Sequence, residues 1–224
     1  MYNKPNQLEK LLIITVLFST AFVACRKDVI VENSNAEFQA ASANANSSFG
    51  ESGNSPAAHI SASENLLVPA SVSVPENLPN GNSRVATYYA IGVQRYKARI
   101  KPGTDPVAYE WIFVAPQADL YDVTNTKVGT HGTGPFWQLS PLDSIFAQQF
   151  NPARTAPGED PGSIDWLLLM PKTGTTPTGI FAEVDYIQRI ATKGGKAPLT
   201  PPANLSDTIA VKYKAVYRFT RINQ

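Results

Sequence analysis

The stretch "TIAVKYKAVYRFTR", residues 208 to 221, constrains this chain more than any other. Ile209, Val211, Tyr213, Ala215, Tyr217 and Phe219 share one parity; Lys212, Lys214, Arg218 and Thr220 share the other, with Val216 as the exception. Successive side chains of a strand point to opposite faces, whereas a helix would scatter the same residues around its circumference. The segment is therefore a strand with one buried face, and the chain must build a sheet over a core.

Other segments repeat the pattern. "RVATYYAIGVQRYKARI" reads as a long strand with Gly92 as a bulge or a point of close approach. "AYEWIFVAP" reads as a short strand ending at Pro116, and "DWLLLMP" as a strand covered on both faces. In "GIFAEVDYIQRI", Ile180, Ala182, Val184, Tyr186 and Ile190 alternate with Glu183, Asp185 and Arg189. Two carboxylates at that spacing could serve as an acid/base couple or as calcium ligands. The plainer expectation is a solvated face matched across strands by Lys212 and Lys214. "LSPLDSIFAQQF" fits a strand or a short helix. Prolines and glycines punctuate the intervals in "KPGTDP", "APGEDPG", "PKTGTTPTG" and "KGGKAPLTPP". Short strands broken this way predict an all-β fold, a single antiparallel β-sandwich or barrel domain.

That domain is expected over residues 66–224, behind two other regions. Lys4 and Lys10 precede an uncharged apolar run from Leu11 to Val23, followed by Ala24 and Cys25. The run is shorter than the ~20 residues of a membrane span but matches a signal-peptide core. "FVAC" resembles the lipobox of bacterial lipoproteins, which makes residues 1–24 a lipoprotein signal peptide and Cys25 the lipidation site. Residues 25–65, rich in Ser, Asn and Ala, read as a disordered tether with His59 solvated within it. The implied location is the cell envelope, as an outer-membrane lipoprotein facing the periplasm or the cell surface. The membrane partner is met through the anchor at Cys25.

Charge and motif exclude several functions. A formal net charge of +1 does not suit a nucleic-acid binder. The chain has one cysteine, so lipidation at Cys25 leaves none for thiol catalysis or cysteine-ligated zinc. "TKGGK" lacks the first glycine of a phosphate loop, and no dinucleotide fingerprint is present. No cofactor and no metal site are expected.

The motifs "IGVQRYKA", "YEWIFVAPQADLYD", "VGTHGTGPFWQ", "IDWLLLMP", "VDYIQRIATKGGKAP" and "VKYKAVYRF", in this order, resemble an uncharacterised bacterial and fungal family, domain of unknown function 3455. The resemblance spans roughly residues 72 to 221. It implies no activity. It does imply a disulfide absent here, since the family often carries cysteines where this chain has Ala98 and "LTPPANL".

Within "VGTHGTGPFWQ", His131, Gly134, Pro135 and Trp137 align with the family pattern and form the candidate ligand-binding group, with His131, Trp137 and Gly134 at its centre. A histidine of near-neutral pKa can act as a general base or bind a ligand. It can also bond a backbone carbonyl and fix the turn from Gly129 to Pro135, the conservative expectation. Trp137, between Gly-Pro and polar residues, is the tryptophan expected to be partly exposed, whereas Trp111 and Trp166 read as core. The sequence thus points to an exported lipoprotein whose β domain binds a small ligand, glycan or envelope partner around His131 and Trp137. The alternatives are a hydrolase-type enzyme with His131 as base and Asp122 or Asp143 as its catalytic partner, and a purely structural envelope protein.

Overall fold

In the computed structural model, which describes residues 54–224, the strands follow one another around a ring in chain order. They are β1 (Asn82–Ile100), β2 (Tyr109–Tyr121), β3 (Lys127–Gly132), β4 (Phe136–Ser140), β5 (Asp143–Ala156), β6 (Trp166–Pro171), β7 (Tyr186–Gly194) and β8 (Thr208–Ile222). Every neighbour pair is antiparallel, and β8 closes the barrel against β1 from Asn82↔Ile222 to Lys97↔Thr208. The fold is all-β, as the alternation requires, and closure removes the open edges that strands would otherwise present to other chains. The signal peptide, Cys25 and most of the expected tether lie outside the described residues.

The barrel interior is packed by one parity of each strand. Tyr88 and Ala90 on β1, Ala118 and Leu120 on β2, and Tyr213, Ala215, Tyr217 and Phe219 on β8 belong to one buried cluster with Trp137 and Ile187. Gly92 continues the inward row of β1. A side chain there would collide with the Gln117 carbonyl and Ala118 on β2, so the glycine marks a close approach; the β1 bulges lie instead at Arg95/Tyr96 and Arg84/Ala86.

A second cluster lies outside the barrel wall. Helix α1 (Pro56–Ser63) and the segment after it lay Ile60 and Val72 over Tyr89, Trp166, Leu168, Ile190 and Val216. This layer explains the apolar Val216 on the outer face of β8. It also corrects two expectations. Residues 54–65 are ordered structure rather than tether, and His59 is stacked on Tyr89 at 4.4 Å between ring centroids rather than solvated. Arg218 on the same outer face is buried beneath the helix and donates from Nη2 to the Ser63 carbonyl at 2.5 Å. Arg154 fastens the following segment, donating to the carbonyls of Ala70, Ser71 and Ser73.

Three strand boundaries differ from expectation. β2 runs through Pro116 to Tyr121, because β3 pairs with it only from Ala118 onward and Pro116 has no neighbour on that edge requiring a donor. "LSPLDSIFAQQF" is a hairpin of β4 and β5, not a helix. Residues 180–185 are not strand: a 3-10 turn, Gly179–Phe181, inserts Phe181 under the barrel, where it packs against Phe219 at 4.8 Å. Glu183 then meets Arg221, and Asp185 accepts from the Ile222 amide, so Lys212 and Lys214 are not their partners.

Candidate functional site

The two ends of the barrel differ. Phe181 and Val184, both buried, close the end where the β2–β3 and β4–β5 turns lie. At the other end, between the loops 101–108, 133–135, 157–165 and 195–207, a cavity of about 530 Å³ runs into the interior. Its wall combines apolar side chains, among them Phe113, Ile164 and Leu169, with Gln94, Tyr96, Tyr217 and Arg189.

His131, Gly134 and Trp137 all contribute to this wall. β3 and β4 place His131 directly opposite Trp137, and the rings stack at 4.5 Å with 16° between their planes. Tyr217 packs on both. His131 Nδ1 lies 2.8 Å from the Phe136 carbonyl, an acceptor, so this nitrogen carries the hydrogen and ties the β3–β4 turn together. That turn also needs Gly134, whose φ of 132° disfavours a side chain. Burial drives the His131 pKa down to about 3; the Phe136 bond opposes this, and the charge of Arg189 adds to it. The imidazole is neutral at pH 7 and a poor proton acceptor.

Asp122 and Asp143, the carboxylates expected beside His131, sit at the closed end. Asp122 accepts from the amides of Thr124 and Thr126 at 2.8 and 3.1 Å and shapes the β2–β3 turn. Asp143 accepts from Ser140 Oγ and from the Ile180 amide, securing the turn that carries Phe181. Both carboxylates face backbone and hydroxyl donors in turns rather than the imidazole. The expected His131 dyad is therefore not assembled.

Trp137 is 0% exposed, which corrects the expectation of a surface aromatic for stacking sugars. Two β-strands and the rings of Tyr217 and Phe219 enclose it. Trp166 is buried in the outer layer as expected for core, whereas Trp111 is only half-buried and donates to the Thr200 carbonyl at 3.0 Å, tying the 195–207 loop to β2.

A family model described as "Protein of unknown function (DUF3455)" matches residues 79–221, which covers the whole barrel except the last residue of β8. The chain belongs to this family. No curated protein and no solved structure gives a significant match. The family description assigns no reaction, so the cavity itself must indicate the chemistry.

Gln94, Tyr96, Tyr217, Lys196 and Arg189 escaped sequence reasoning. Parity with Glu183 assigns Arg189 to a solvated face. In β7, however, Ile187 and Arg189 face inward while Gln188 and Ile190 face the outer layer. The available signal was the shared parity of Arg189 with Ile187, and of Gln94 with Tyr88 and Ala90. Among the described residues, no three His, Cys, Asp or Glu side chains converge as metal ligands would.

Proposed function

We propose that this protein binds a small molecule in the open end of its barrel, as an exported module tethered to the membrane by lipid at Cys25. One observation carries the reading. Gln94 Nε2 and Trp137 Nε1 belong to side chains lining one cavity, and each is buried without a hydrogen-bond partner. A buried polar group left unpaired costs about 1–3 kcal/mol, so two in one wall are a sizeable destabilisation for an ordinary core. A bound molecule that presents complementary atoms would offset it. The volume, about 530 Å³, falls within the roughly 300–1,000 Å³ range of small-molecule pockets, and eight-stranded barrels are of a size to hold one such ligand.

The test is a thermal-shift screen of the purified protein against small acids, amides, alcohols and short glycans. At ~100 times its dissociation constant a ligand adds about 2.7 kcal/mol, a shift of several degrees. The shift should vanish in Tyr217→Phe or Gln94→Leu variants that remain folded. A panel without any shift, together with variants that melt higher than the wild type, would make the cavity a packing defect. The anchor is tested separately: labelled palmitate should enter the wild type and not Cys25→Ala.

A further inference from the structure

The charged groups of the cavity are unequal. Three charged side chains line it, Arg189, Lys196 and Asp165. Asp165 directs its carboxylate to Lys196, 3.7 Å from Nζ, and its backbone carbonyl to Arg189. Arg189 donates from Nε and Nη2 to that single carbonyl at 3.1 and 2.7 Å, which fixes the guanidinium plane while engaging only part of its five donors. None of the ion pairs among the described residues includes Arg189. It is thus an oriented cation, inside a largely apolar chamber, without an acidic partner.

The remaining polar groups have the same bias. Gln94 Nε2 and Trp137 Nε1, both unpartnered, are donors. Arg189 also acts electrostatically on His131, Tyr96, Tyr213 and Tyr217. A group complementary to this wall is rich in acceptors and negatively charged; the rest of the molecule must suit Phe113, Ile164, Leu167 and Leu169.

We infer that the ligand class is an organic carboxylate with an apolar body, its oxyanion held by Arg189 and its body against the apolar wall. This rests on the proposal that the cavity is a binding site. Guanidinium matches carboxylate geometrically, and charge-assisted hydrogen bonds are about twice as strong as neutral ones.

Isothermal titration of the full-length protein in detergent, with 3-phenylpropionate and octanoate against their primary amides, separates the two levels of the argument. At pH 7.5 the acids should bind about tenfold or more tightly than the amides, a difference of about 1.4 kcal/mol. Arg189→Gln should erase that preference by weakening the acids more than the amides, and Arg189→Lys should retain part of it. Acids and amides binding equally to the wild type would overturn the ligand class and leave the binding site standing. Binding of neither acids nor amides would remove both.

Discussion

A histidine whose Nδ1–H is spent on a carbonyl, stacked on Trp137 and packed by Tyr217, can take a second proton only at the expense of its packing. The folded pKa of His131, about 3, lies below the ordinary 6.5. Between those values the unfolded chain binds the extra proton and the folded chain does not, so stability is full above about pH 7 and falls as pH drops. His59, stacked on Tyr89, is shifted in the same direction by burial and by Lys214. Carboxylates with lowered pKa values contribute their own loss only nearer pH 4, which leaves pH 6.5 to 4.5 to the histidines. A single such group changes stability by up to about 1.4 kcal/mol per pH unit, hence about 2–3 kcal/mol across that window. Melting temperatures at pH 7 and pH 5 check this: His131→Gln should flatten the dependence, and an unaltered slope would remove His131 from it. A second residue-level expectation concerns space rather than charge. Gly92→Ala places a methyl against the Gln117 carbonyl and should destabilise by about 1–3 kcal/mol in a denaturant melt, although its backbone φ is ordinary.

Elements reveal where sequence reasoning succeeded and where it could not. The strands of β1 and β8 were legible because alternation is local, and the inward row of β8 is the one the apolar residues announce. β7 was read with the wrong face inward. A strand covered on both sides carries apolar residues at both parities, so Ile190, which belongs to the outer layer, looked like core and drew Arg189 to the wrong side. Helix α1 was missed for a related reason: "PAAHISAS" has one large aliphatic residue, Ile60, and its partners Tyr89, Trp166 and Val216 stand far away in sequence. Eight residues do not hold a helix alone in water. Ser55 caps it and Arg218 grips its last turn, but packing of Ile60, 4% exposed, supplies the reason to form. Ile60→Ala should cost about 2–3 kcal/mol, and Ile60→Asp should release the helix. Hydrogen exchange would then quicken at the amides of α1, including Ala58 and His59, with the β8 core still protected.

At the scale of the whole molecule, the period-two pattern cannot distinguish sandwich from barrel, since both bury one parity of antiparallel strands. The deciding pairing joins the first strand to the last. β1 and β8 match along fifteen residue pairs, from Asn82 to Lys97, which makes closure the most distant strand pairing in sequence and the slowest to find. Truncation before Thr208 should therefore do more than shorten the chain: β1 and β7 become open edges, cooperative unfolding is lost, and size-exclusion chromatography should show association. A monomeric, cooperatively melting truncation would show that closure is dispensable.

Phe181 and its 3-10 turn have a bearing on traffic through the molecule. A cylinder stoppered at its base is a vessel, not a conduit: whatever enters must leave by the same mouth, past the loop that carries Lys196. Residence time would then be governed by how often that loop lifts, and cutting its tether to Thr200 with Trp111→Ala should hasten filling and emptying together while leaving the equilibrium occupancy nearly as it was.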